Sequence, residues 1–107
     1  MRTPKELDQR SLALHRLVAD KVRHDAALLD RAKAIVQRWH RTASPRTFVY
    51  LDAWQSLLDQ GEDACLAAAT EESDWGNALR QASPLACLLT NQERFAFLKH
   101  WSKSHAA

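Results

Sequence analysis

The chain contains 107 residues, enough for one domain with a single hydrophobic core and too few for two such cores. Hydrophobic residues make up 46% and charged residues 26%, a globular composition that excludes disordered and fibrous classes. Two glycines and three prolines are too few for turn-rich sandwiches and barrels. We therefore predict one all-α domain over residues 1–107, a compact bundle of five to six helices that begins with a helical hairpin.

The first helix is predicted to begin at Pro4, because Thr3, Pro4 and Glu6 form a capping box with proline at the first helical position. Asp25 is predicted to cap a second helix. The two helices form the hairpin, and one long kinked helix is the alternative. The predicted core face of the first helix contains Leu7, Ser11, Leu14, Val18 and Val22, with Leu12 and Leu17 beside them. The predicted core face of the second helix contains Leu28, Leu29, Ala32, Ile35, Val36 and Trp39.

Four shorter helices are predicted in the rest of the chain. The third begins near Phe48 and ends at Gly61, the fourth covers residues 62–69, and the fifth runs through Trp75 to a stop at Ser83–Pro84. A second capping box, Thr90 to Glu93, starts the last helix. Its predicted inner face contains Phe95, Leu98 and Trp101.

The N-terminal residues contain no apolar run of the kind that a signal peptide needs, and no segment approaches the roughly 18 apolar residues of a membrane helix. We therefore expect a cytoplasmic protein that does not bind membranes. Cys65 and Cys87 lie far apart and form no CxxC motif, which argues against a redox or zinc site. Both cysteines are predicted to be buried.

Catalytic and metal-binding motifs are absent from the sequence. No two of the five histidines are four residues apart, HExxH does not occur, and no serine lies in a GxSxG motif. Two glycines are too few for a phosphate-binding loop. We expect a non-enzymatic protein with no catalytic residues, no metal and no cofactor.

The charges are segregated along the chain, although the net charge is only +2. Residues 1–46 contain eleven Lys and Arg against five Asp and Glu, whereas residues 47–79 contain seven acidic residues and no Lys or Arg. Complementary charge speeds encounters between proteins and selects partners. The middle segment therefore predicts either a docking surface for a basic protein or an ordinary solvated face, with equal support for each. The acidic residues of this predicted surface are Asp59, Glu62, Asp63, Glu71, Glu72 and Asp74.

The basic first part of the chain supports an alternative interpretation. Arg31, Arg38 and Arg41 are spaced to project from one side of the second helix, as phosphate-contacting residues do. The alternative function is therefore a nucleic-acid-binding transcriptional regulator. A solvated helix face explains the same arginines more simply, because dedicated nucleic-acid binders are usually more basic overall.

Four tryptophans are more than a domain of this size needs, and each lies on a predicted apolar face. A small helical domain cannot easily bury four indoles, so at least one is expected to stay partly exposed until a partner covers it. Trp75 and Trp101 are the candidates.

Three stretches of the chain together resemble a known family. They are residues 12–19 with 28–39, Tyr50 to Trp54 with Leu57 and Leu58, and residues 79–86 running into 90–94. This pattern of helix faces, with the turn Arg80-Gln81-Ala82-Ser83-Pro84, resembles small all-helical bacterial antitoxins of two-gene toxin–antitoxin modules over nearly the whole chain. The chain differs from the commonest antitoxins, since it has no evident disordered toxin-binding tail and no clear helix-turn-helix.

The resemblance implies a non-enzymatic protein that binds and neutralises a cognate toxin enzyme, with DNA as a second partner if it represses its own operon. We expect the acidic middle and the adjacent Ser83–Pro84 turn to occlude the toxin's active site. Arg80, Ser83 and Pro84 would fix the geometry of the turn. The carboxylates would supply charge and Trp75 a desolvated anchor.

Overall fold

The computed structural model describes residues 3–105, which form six α-helices and one 3₁₀ helix with no β-strand. The all-α prediction is confirmed. No helix in this range is both long and apolar enough to cross a membrane. The helices are α1 (Pro4–His24), α2 (Leu28–Thr42), α3 (Pro45–Gln60), α4 (Glu62–Ala69), α5 (Asp74–Gln81) and α6 (Asn91–Ser104), with the 3₁₀ helix at Leu85–Leu88 between the last two.

The two predicted capping boxes are both present. The Glu6 amide donates to the Thr3 hydroxyl at 3.2 Å, and the Glu93 amide donates to the Thr90 hydroxyl at 3.1 Å. In each box the glutamate carboxylate accepts from the amide of the threonine. These bonds satisfy amides that the first helical turn leaves without partners, so they determine where α1 and α6 begin.

The boundaries of α3 differ from the prediction at one end. The helix begins at Pro45, three residues earlier than expected, because the proline occupies its first turn, where a missing N–H costs nothing. It ends at Gly61, as predicted, and there φ is +117°, a backbone conformation that favours glycine.

Residues 25–27 separate α1 from α2, so the alternative of one long kinked helix is wrong. The N-cap of α2 is Ala27 and not the predicted Asp25, whose backbone carbonyl instead accepts from the Leu28 amide at 3.1 Å. The two helices of the predicted hairpin find their main packing partners elsewhere. Helix α2 packs chiefly on α3 and the 3₁₀ helix, and α1 packs on α4, α5 and the 3₁₀ helix.

The buried apolar residues form one cluster around Trp54, which is fully buried. The Trp54 indole donates to the backbone carbonyl of Leu79 at 2.9 Å, so its polar atom is satisfied inside the core. The predicted core face of α1 is buried in this cluster from Leu14 onward, whereas Leu7 and Leu17 are exposed. One core within residues 3–105 is what a chain of this length was expected to build.

Helix α6 turns a different face inward from the one predicted. Phe95 is 72% exposed and Leu98 is exposed, whereas Phe97 packs partly buried against the core. No residue of α6 is fully buried. Polar contacts attach the helix to the body: Lys21 pairs with Glu93 at 2.5 Å, and Arg94 donates to the backbone carbonyl of Ala86. The inner side of α6 therefore carries Arg94, Phe97 and Trp101, of which only Trp101 belongs to the predicted face.

The two cysteines have different surroundings. Cys65 is buried in α4 as predicted, and burial raises the pKa of its thiol to about 11. Cys87 is exposed, so the prediction that it is buried is wrong. The 3₁₀ helix turns Leu85 and Leu88 into the core, which leaves Cys87 on the outside.

Candidate functional site

The predicted acidic surface is divided into two groups in the structure. Asp59, Glu62 and Asp63 lie where α3 meets α4, and the remaining three lie where α4 leads into α5. Helix α4 has eight residues, which places the groups roughly 12 Å apart along its axis. The chain therefore presents two separate acidic groups instead of one continuous surface.

Helix α1 supplies cations to both acidic groups. Arg16 pairs with Glu72 at 2.5 Å, and Arg23 lies 3.6 Å from Asp63. The two arginines are seven residues apart, so they project from one face of α1 two turns from each other. Part of the charge segregation in the sequence is therefore used in ion pairs between α1 and the middle of the chain. Exposed pairs of this kind add little stability, so the acidic groups remain available to a partner.

Arg80 lies on α5 beneath the second acidic group and is only 5% exposed. It donates to the backbone carbonyls of Ala69 at 3.2 Å and Glu71 at 2.8 Å, and to the Asn77 side chain at 2.6 Å. Burial lowers the pKa of the guanidinium, and Asp8 acts in the opposite direction. Arg80 therefore ties the end of α4 and the following loop to α5, and it is too deeply buried to contact a partner directly.

Gly76 allows the loop after α4 to lie directly against α5. A Cβ at this position would stand 2.2 Å from the Glu71 carbonyl oxygen, which is closer than any side chain tolerates. The Gly76 amide donates to the Ser73 hydroxyl at 3.0 Å, which caps the helix. Sequence reasoning missed Gly76, and its signal was that a chain with two glycines places one inside a helix.

Trp75 is 47% exposed at the start of α5, and it packs against Tyr50 with ring centroids 5.8 Å apart. The prediction that at least one tryptophan is partly exposed is confirmed at this residue. Trp101 is half-buried and stacks on His105 at 3.6 Å. Trp75 and Tyr50, together with the exposed carboxylates of Glu71, Glu72 and Asp74, form what we call the Trp75 surface.

The Ser83–Pro84 turn is inside the protein. Both residues are buried, and the Ser83 hydroxyl accepts from the Leu85 amide at 3.1 Å. This bond holds the backbone of the turn just before the 3₁₀ helix, whose N-cap is Pro84. The expectation that the turn itself contacts a partner is wrong, because the core closes over it.

An open groove of about 820 Å³ lies beside the Trp75 surface, between α1, the start of α5 and the end of α6. It brings together four residues that sequence reasoning had singled out, namely Glu72, Asp74, Arg80 and Trp101. Asp8 joins them from α1, which the sequence did not predict. The groove extends the Trp75 surface and contains both carboxylates and cations.

The arginines of the alternative interpretation lie on the outside of α2. Arg31, Arg38 and Arg41 are exposed, and none of them forms an ion pair within residues 3–105. Their spacing keeps them on one side of the helix. This basic face and the Trp75 surface are the two charged candidates for binding.

Among the described residues, no three His, Cys, Asp or Glu side chains are grouped closely enough to hold a metal ion. The comparisons with protein families, with curated proteins and with solved structures found nothing that matches this chain.

Proposed function

We propose that the protein is a non-enzymatic antitoxin that binds and neutralises a partner toxin through the Trp75 surface. The observation that supports this function best is a half-exposed tryptophan on a backbone that Arg80 and Gly76 hold in place. Tryptophan is enriched among the residues that dominate binding energy at protein interfaces.

The rigidity of the surface favours tight binding. The loop before α5 is held by two hydrogen bonds from Arg80 to backbone carbonyls and by the cap from Ser73. Association costs free energy for each loop or side chain that must be ordered, and a surface that is already ordered avoids much of that cost. Tyr50 restricts the indole of Trp75 further, since the two rings pack together.

The charge of the surface indicates the kind of toxin. Glu71, Glu72 and Asp74 are exposed around Trp75, and Arg16 neutralises only one of them, Glu72. An acidic surface occludes an active site well only where that site is basic. We therefore propose that the toxin acts on a phosphate-bearing substrate such as a nucleic acid.

The first experiment captures the partner. The tagged protein is expressed at its natural level in the organism that encodes it, purified gently with nuclease treatment, and the co-eluting proteins are identified by mass spectrometry. We expect one stoichiometric basic protein, whose separate expression arrests growth and whose toxicity is relieved by co-expression of this chain. Recovery of no stoichiometric protein, or of one without toxicity, would contradict the antitoxin proposal.

Two variants assign the interface. Trp75→Ala should abolish capture of the partner, whereas Phe95→Ala should not, because Phe95 is an even more exposed aromatic residue on α6 outside the Trp75 surface. Trp75→Ala should unfold at a somewhat lower temperature than Phe95→Ala, because about half of the Trp75 side chain is covered and its ring packs on Tyr50. Capture is therefore compared at a temperature well below both transitions. Equal capture by both variants would remove Trp75 from the interface.

Charge reversal tests the carboxylates separately. The double substitution Glu71→Lys and Glu72→Lys should weaken the complex and reduce the dependence of its affinity on salt, without unfolding the domain. Asp59→Lys is the control, because Asp59 belongs to the other acidic group beyond α4. Unchanged binding of the double variant would exclude this acidic group from the interface.

The exposed arginines of α2 favour a second candidate function, a regulator that binds nucleic acid. Phosphate contacts release counterions, so the affinity for a DNA duplex should fall steeply with salt. Replacing Arg31, Arg38 and Arg41 by Gln should weaken binding to all sequences similarly and reduce the salt slope. A duplex titration with no salt-dependent binding would eliminate this candidate.

A further inference from the structure

A second cavity, of about 280 Å³, lies between α1, α5, the 3₁₀ helix and α6, apart from the Trp75 surface. Three arginines from three different helices line it, namely Arg10, Arg80 and Arg94. None of the described residues around this cavity carries a carboxylate. Three guanidinium groups beside a cavity whose walls carry no carboxylate give it a positive potential, which favours an anion, although Asp8, Glu71 and Glu72 act on Arg80 from outside these walls.

Two buried polar atoms at this cavity have no hydrogen-bond partner within residues 3–105. They are Nε2 of His15, a residue that is 1% exposed, and Nε of Arg80. Leaving a buried polar atom unpaired is costly, so most native structures pair such atoms. Both residues line the same cavity, so one occupant can pair with both atoms once the lining side chains shift enough to uncover them.

The chemistry of the occupant follows from the protonation of His15. Its Nδ1 lies 2.7 Å from the backbone carbonyl of Ser11, and a carbonyl only accepts, so Nδ1 carries the hydrogen. Burial lowers the pKa of the ring to about 4, and the ring is therefore neutral at pH 7. Nε2 is then an acceptor, whereas Nε of Arg80 is a donor. An occupant with an acceptor oxygen for Arg80 and a hydroxyl donor for His15 would pair both atoms, and the arginines favour a negative charge on that acceptor.

We propose that this cavity binds a small oxyanion that carries a hydroxyl group, either a hydrogen phosphate or an α-hydroxycarboxylate. Arg10, Arg80 and Arg94 donate to the anionic oxygens, and the hydroxyl donates to His15. Apolar side chains on the same walls, from Leu7, Leu14, Phe97 and Leu98, accommodate a short hydrocarbon part. The site needs no metal and no covalent chemistry.

The test uses four probes at constant ionic strength: inorganic phosphate, mandelate, phenylacetate and benzyl alcohol. Phenylacetate lacks the hydroxyl group of mandelate, and benzyl alcohol lacks its carboxylate. Binding is measured by calorimetry, and the ¹⁵N resonances of the His15 ring show whether the probe reaches Nε2. We expect phosphate or mandelate to bind saturably and to shift these resonances. The other two probes should bind at least about tenfold more weakly than mandelate where mandelate is the ligand, because a site built to pair with a polar group rejects an analogue without it.

Matched arginine variants locate the binding. Arg10 is partly buried and makes no hydrogen bond or ion pair among the described residues, so Arg10→Gln should fold normally. Loss of a charge-assisted hydrogen bond should weaken the bound probe about tenfold. Arg31→Gln on α2 is the control and should bind like the wild type. Failure of both phosphate and mandelate to bind saturably, or equal affinity in Arg10→Gln and the wild type, would overturn the proposal.

Discussion

The buried ring of His15 should make the stability of the fold fall between pH 7 and pH 5. Burial lowers the pKa of His15 from 6.5 to about 4, the hydrogen bond to Ser11 acts in the opposite direction, and Arg80 and Arg94 lower it further. The unfolded chain therefore binds a proton more readily than the folded chain does. The contribution of His15 to stability is complete above pH 6.5 and is lost as the pH falls towards 4.

The size of the effect follows from the two pKa values. Each unit of difference corresponds to about 1.4 kcal/mol, so His15 accounts for a loss of roughly 3 kcal/mol when the pH falls below 4. Between pH 7 and pH 5 the loss is about 2 kcal/mol. A domain of this size is stable by about 5–15 kcal/mol, so the change is a large fraction of the total.

Urea unfolding at pH 7 and pH 5 measures the loss. His24 provides a matched control, because its Nδ1 also bonds a carbonyl four residues earlier, that of Asp20 at 2.8 Å, while its ring is exposed. His15→Gln should lose most of the pH dependence in this interval, whereas His24→Gln should keep it. The reasoning would be refuted if His15→Gln and the wild type lost equal stability, or if NMR titration of the wild type showed His15 protonating near pH 6.5.

Three further predictions concern single residues. Gly76→Ala should destabilise the fold by roughly 1–3 kcal/mol in urea unfolding, because the Cβ of alanine would collide with the Glu71 carbonyl. Alanine normally favours a helix over glycine, so a neutral or stabilising effect would contradict this contact. In the native protein a thiol reagent should modify Cys87 rapidly and leave Cys65 unmodified, because Cys65 is buried and its pKa is raised to about 11; two fast-reacting thiols would refute the burial of Cys65. Hydrogen bonds from Lys21 and from the Thr90 amide lower the pKa of Glu93 to about 2. The stabilising contribution of Glu93 should therefore be present above pH 4.5 and lost as the pH falls towards 2. If the stability of Glu93→Gln depended on acid pH in the same way as that of the wild type, this prediction would be contradicted.

Local signals in the sequence predicted most helix boundaries correctly. The capping boxes at Thr3 and Thr90 and the glycine at position 61 act within one helical turn, so the residues that determine these boundaries are adjacent in the sequence. The predicted start of α3 is three residues too late, although the first-turn proline Pro45 indicates where the helix begins. Local chemistry is readable wherever the interacting residues are neighbours in the chain.

Contacts between distant residues explain what the sequence could not show. Periodicity identified the apolar residues of α6, but it does not indicate which of them another helix covers, and Phe95 is therefore exposed. The sequence indicated that Arg80 fixes the Ser83–Pro84 turn, whereas its hydrogen bonds to the carbonyls of Ala69 and Glu71 tie it to the end of α4 and the following loop. Arg16 and Glu72 are far apart in the chain, so the sequence did not show that the segregated charges pair with each other within the molecule.

The affinity of the captured partner for Trp75→Ala, compared with Phe95→Ala, tests the proposed interface most directly. A central tryptophan in a protein interface typically contributes at least about 2 kcal/mol, which corresponds to roughly a thirtyfold increase in Kd on truncation. We predict an increase of at least this size for Trp75→Ala and an unchanged Kd for Phe95→Ala, both measured at a temperature where the variants are fully folded. Equal affinities of the two variants would contradict the assignment of the Trp75 surface as the binding site.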